Sequence, residues 1–121
     1  MKTFLISLLT LILIISIVLI SYPSDEQSNS YKNMLSVRAD TAIENGWIPA
    51  ITPESAYNIE ETHNIDTNVF YGSFYYKEKD ESSLLKHLTL IDEKDKTYSW
   101  KDILLHIDTK RNKVWYRNKM D

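Results

Sequence analysis

Thr52-Pro53-Glu54-Ser55-Ala56-Tyr57-Asn58-Ile59-Glu60-Glu61-Thr62-His63 is the stretch on which the fold class turns. Thr52 is a good N-cap, proline suits the first helical position, and Glu54 lies where the helix dipole favours an anion. Ala56, Ile59, Glu60 and His63 then recur at i, i+3, i+4 and i+7, the spacing of one helical face, with Asn64 as terminator. These signals predict a helix over 52–63. Outward from it, residues 36–45 carry Val37, Ala39 or Ala42, and Ile43 at helical spacing, closed by Asn45 and a left-handed Gly46. Trp47-Ile48-Pro49 reads as an extended apolar link, with Trp47 as a core anchor.

On the other side, residues 68–77 alternate aromatic and β-branched side chains and predict a strand. A third helix opens at Asp80 or Glu81, with Leu84, Leu85, Leu88 and Ile91 as its stripe. Residues 92–96 are charged and predict a loop. Ile103 to Asp108 and Lys113 to Arg117 predict a hairpin turning through Thr109 to Asn112. The expectation is an α+β domain of about three helices and a three-stranded antiparallel sheet.

Before the domain, Phe4 to Ile20 is apolar except for Ser7, Thr10 and Ser16. Such a run has the length of a membrane-crossing helix, and Leu19 to Ser24 offers no small-residue cleavage pattern. The sequence therefore predicts a transmembrane signal-anchor over 1–22, a polar linker over 23–35 and one small domain over 36–121. Contact with the membrane is expected through residues 4–22. Lys2 precedes this run while Asp25 and Glu26 follow it, which places the C-terminal domain outside the cytoplasm of a single-pass membrane protein.

Composition excludes several classes. The chain has no cysteine, so disulfide partners and a cysteine nucleophile are ruled out. It has two glycines and no phosphate-cradling loop, which argues against a nucleotide enzyme. Six acidic and no basic residues fall between Asp40 and Asp66, whereas six basic residues face three acidic ones from Lys101 onward. With net charge -3 overall, nucleic acid is not an expected partner.

Gly46-Trp47-Ile48-Pro49, Pro53-Glu54-Ser55-Ala56, Ile59, His63 and Asp66-Thr67-Asn68 together resemble a block shared by small bacterial proteins of unassigned function. The resemblance covers Gly46 to Asn68. It implies a bacterial, membrane-associated protein, carries no reaction with it, and marks His63, Asp66 and Asn68 as positions to test.

The residues themselves admit several chemistries. Glu60, His63 and Asp66 at intervals of three could form part of a metal centre if His87 or His106 converged on them, which would make a metal-dependent hydrolase. The structural alternative has His63 closing a helix and Asp66 to Asn68 forming a turn. Tyr71 and Tyr75 on one side of the predicted strand could offer a platform to a glycan, peptide or protein, or simply be covered. The expected function is an extracytoplasmic binding domain, without cofactor, for another envelope protein or an envelope polymer. Alternatives are the hydrolase and a membrane-anchored immunity or inhibitor protein.

Overall fold

Tyr57 to Asn64 is a strand in the computed structural model, which describes residues 2–21 and 26–119, the side chains of the first helix being described to residue 16. The expected helix over 52–63 is therefore corrected. Thr52 and Pro53 begin a turn instead: the Thr52 hydroxyl and amide both donate to the Pro49 carbonyl, and the Ala56 amide donates to Pro53. From Tyr57 the period is two. Ile59, Glu61 and His63 are buried while Glu60 is exposed and Thr62 half-buried, an alternation that a helix cannot produce.

Helix α1 spans Lys2–Ser21 and is followed by β1 (Glu26–Asn33), α2 (Met34–Ala39), β2 (Tyr57–Asn64) and β3 (Phe70–Tyr75). A single 3-10 turn at Glu78–Asp80 leads into α3 (Glu81–Lys86), then β4 (Thr89–Asp92), β5 (Thr97–Trp100), β6 (Ile103–Asp108) and β7 (Lys113–Asn118). The strands form one antiparallel sheet in the order β1-β2-β3-β7-β6-β5-β4. Two meanders thus meet where β3 pairs with β7. Among the described residues, the expected domain of about three helices and three strands is replaced by seven strands with two short helices, α2 and α3.

The corrections have local causes. Residues 26–33, within the expected linker, pair residue for residue with β2, so polar side chains become a strand through their partner. Residues 22–25, including the rest of the expected junction, lie outside the described residues. Helix α2 begins at Met34, where the Asn33 side chain caps the Ser36 amide, and it is only six residues long. Turns carry the chain to Gly46, whose φ of 82° is the left-handed conformation anticipated there. The charged residues 93–96 connect β4 and β5, a hairpin not foreseen because β4 buries none of its side chains.

The expected transmembrane signal-anchor over 1–22 is also corrected. Among the described residues no helix is long and apolar enough to cross a membrane. The expected span beyond Ser16 lies outside the described side chains.

One face of the sheet is covered. Tyr31, Ile59, Phe74, Val114, Tyr116, Ile103, Leu105 and Ile107 project from it and pack with Met34, Val37, Ala42, Ile48, Ala56 and Leu84. The other face carries Thr62, Tyr71, Ser73, Tyr75, Lys113, Trp115, Arg117, Leu104 and His106, assigned by the register and the two-residue alternation. Gly72 is required where the covered face is tightest. A Cβ there would stand 2.2 Å from the Glu60 carbonyl oxygen and 2.5 Å from the Tyr116 hydroxyl.

Candidate functional site

The period of two in β2 puts Glu61 and His63 side by side on the covered face. Glu61 is 1% exposed and His63 6% exposed, so both must be satisfied from within the protein. His63 Nδ1 lies 2.9 Å from one Glu61 carboxylate oxygen and 3.2 Å from the other. A carboxylate can only accept, so Nδ1 carries the proton of this bond. The Asn29 side-chain amide, directly across the β1-β2 ladder, donates to the same carboxylate.

Trp47 fixes the imidazole from its face. The two rings are stacked with centroids 4.0 Å apart and 7° between their planes. The Tyr116 hydroxyl donates to the Trp47 carbonyl at 3.0 Å, tying the loop after Gly46 to β7. Burial holds that hydroxyl above the ordinary tyrosine range, and the nearby Glu61 and Tyr31 add to the effect. Tyr31 is raised in the same direction by burial and by its hydrogen bond to Asp40.

His63 Nε2 is treated differently. It has no hydrogen-bond partner among the described residues, and no fully buried side-chain polar atom there is left unsatisfied. Nε2 therefore touches solvent, in a cleft of about 470 Å³ lined by Gln27, Trp47, Asn64, Asn68 and Phe70 among others. Gln27 is the cross-strand neighbour of His63. The Asn64 side chain accepts from the amides of Asp66 and Thr67, which shapes the turn into β3. Asn68 sits at φ 59°, a left-handed position that asparagine tolerates, and its carbonyl accepts from Asn118. The cleft thus combines one oriented imidazole, four side-chain amides (Gln27, Asn45, Asn64 and Asn68) and an apolar wall. It can hold a partner group by hydrogen bonds, but its lining contains no serine, threonine, lysine or cysteine to act as a nucleophile.

The five expected binding positions divide between the two faces. His63 and Asn68 share the cleft, and Asp66 stands in the exposed turn beside it. Tyr71 and Tyr75 belong to the opposite, open face. Glu60 does too, so the expected grouping of Glu60, His63 and Asp66 is not brought together. Among the described residues no group of three His, Cys, Asp or Glu side chains is placed to hold a metal. His106 tilts against Trp115 on the open face, and His87 follows α3, both away from His63. Glu61, Asn29 and Gln27 were missed by sequence reasoning. The signal for Glu61 was its separation of two from His63, which matters only on a strand.

The acidic run also has internal uses. Asp40 accepts from Tyr31, Glu54 pairs with Arg38 at 2.6 Å, and Glu61 is buried against His63. Half of the six carboxylates from Asp40 to Asp66 are thus engaged inside the fold.

The family described as the YbbD head domain has a model that matches residues 25–75, the part of the chain that holds β1, α2, β2 and β3 and hence Glu61, His63 and Asn68. No curated protein and no solved structure matches the chain. It is a small bacterial domain, similar over that stretch to the YbbD head domain.

Proposed function

We propose that the chain is an extracytoplasmic binding domain of the cell envelope that holds a partner at the His63 cleft and makes or breaks no bond. The observation that supports this reading is the state of His63: buried, fixed at Nδ1 by Glu61, stacked on Trp47, and open to the cleft at Nε2. Ordering an imidazole this way leaves its second nitrogen available to a hydrogen-bonding group of a partner in the cleft. The placement of Lys2 before, and of Asp25 and Glu26 after, the apolar amino-terminal segment supports an extracytoplasmic location. The exposed apolar side chains of α1 from Phe4 to Ile15 support contact with the membrane.

The test is capture of solubilised envelope by the full chain, compared with the His63→Gln and Gln27→Ala variants. Gln27 is exposed, so its truncation leaves the core intact. One discrete partner retained by the parent chain and lost with either variant supports the reading. Equal capture by all three would contradict it.

A further inference from the structure

The second face of the sheet is uncovered, and its side chains are not scattered. On β7, Lys113, Trp115 and Arg117 alternate outward, a cation on each side of an exposed indole. Tyr71 faces Arg117 across the ladder and Tyr75 faces Lys113, so both tyrosines stand diagonal to Trp115. The Lys113 ammonium lies 4.9 Å from the ring centres of both Tyr75 and Trp115. Tyr57 extends the aromatic series by stacking on Tyr75 at 5.6 Å.

These residues line three adjoining depressions. One of about 460 Å³ includes Lys32, Glu60, Tyr75 and Lys113. The next, of about 250 Å³, shares Glu60, Ser73 and Lys113 with it. The third, of about 410 Å³, shares Tyr71 and Trp115 with the second and reaches Thr97, Leu104, His106 and Arg117. Together they run from β1 to β5 across the strands. Five strand spacings amount to about 24 Å, room for several rings in a row.

We infer that this groove binds a linear acidic polysaccharide of the uronic-acid type. The aromatic rings offer flat apolar area against which a sugar ring can lie, with polar groups at their margins. Lys113 and Arg117 are in no ion pair among the described residues, and with Lys32 they outnumber the two carboxylates that line the groove or bond to its lining, Glu60 and Glu26, the latter accepting from the Tyr71 hydroxyl. On a chain of net charge -3 this is a local cationic strip, complementary to carboxylates spaced along a polymer. A peptide that adds as a strand docks through main-chain hydrogen bonds at a sheet edge, which the middle of a paired sheet does not offer. A polyol phosphate has no ring to stack.

The site is separate from the His63 cleft, on the other face, and β7 lies beyond the residues matched by the family model. The experiment is a titration of the full chain, followed by tryptophan fluorescence, with three probes: an oligogalacturonate hexamer, its carboxyl-reduced neutral form, and hexathymidylate. Saturable binding of the acidic hexamer is expected, at least about tenfold tighter than either of the others. Trp115→Ala should weaken it about tenfold or more, read by calorimetry because the reporter is removed. The double variant Lys113→Ala, Arg117→Ala should do the same with fluorescence intact. Gln27→Ala, in the other site, should leave it unchanged. No saturable binding, equal binding of the neutral sugar or the oligonucleotide, or loss on Gln27→Ala would overturn the assignment.

Discussion

Replacing Glu61 by leucine should cost the domain about 1–3 kcal/mol. The carboxylate has essentially no exposure and serves both His63 Nδ1 and the Asn29 amide. Removing it leaves the buried Nδ1–H without an acceptor, at about 1–3 kcal/mol. Asn29 is only half-buried and can turn to water, so most of the loss falls on the imidazole. His63→Leu should be costly for the converse reason, since it strands the carboxylate. The double variant should be less destabilised than the sum of the two, because an apolar replacement of both partners removes the desolvation penalty as well as the attraction. At about 4–8 °C per kcal/mol for a domain of this size, Glu61→Leu should lower Tm by about 4 °C or more. Urea titration followed by tryptophan fluorescence, with thermal melts alongside, measures all four corners of the cycle. Single losses under about 1 kcal/mol that simply add would refute the view that these groups form one buried unit.

Gly72→Ala should be among the most damaging single-methyl changes in the protein, because the added carbon meets the Glu60 backbone at 2.2 Å; a fall in urea midpoint larger than that of Asn33→Ala checks it. Asn33→Ala removes the cap on the Ser36 amide and should cost about 1 kcal/mol by the same measurement. Tyr31, Tyr76 and Tyr116 are each raised above the ordinary tyrosine value of 10.0, burial being the largest cause. A raised folded value means that the neutral form is favoured by the fold, so the associated stability is full below pH 10 and is lost as pH climbs above it. Absorbance titration of phenolate should show these three ionising late and together with unfolding; ionisation of all tyrosines near pH 10 in the folded chain would refute this.

Much of the sheet was legible in the sequence where one face alone is apolar. Ile103, Leu105 and Ile107 against Val114 and Tyr116 announce β6 and β7, and the aromatic run announces β3. Strand β2 was hidden because Thr52-Pro53-Glu54 imitates the start of a helix. Ala56, Ile59 and His63 satisfy a helical period as well as they satisfy burial in a strand. What separates the readings is Glu61, a buried carboxylate that no hydrophobic pattern marks as core. Strand β1 has Tyr31 as its one buried residue and depends on its pairing with β2. The same error of period displaced the site. His63 stood out by type, but a helix gave it Glu60 as neighbour, whereas the strand gives it Glu61 below and Gln27 beside. Trp47, read as a core anchor, also stacks on the imidazole.

The most direct test is photocrosslinking of the full chain in intact envelope from a benzophenone side chain placed at position 68, on the rim of the cleft, and separately at position 94, in the exposed turn between β4 and β5. One discrete adduct is expected from position 68, lost when His63 is changed to glutamine, and none from position 94. An absent adduct, or the same diffuse pattern from both positions, would contradict a binding site at His63.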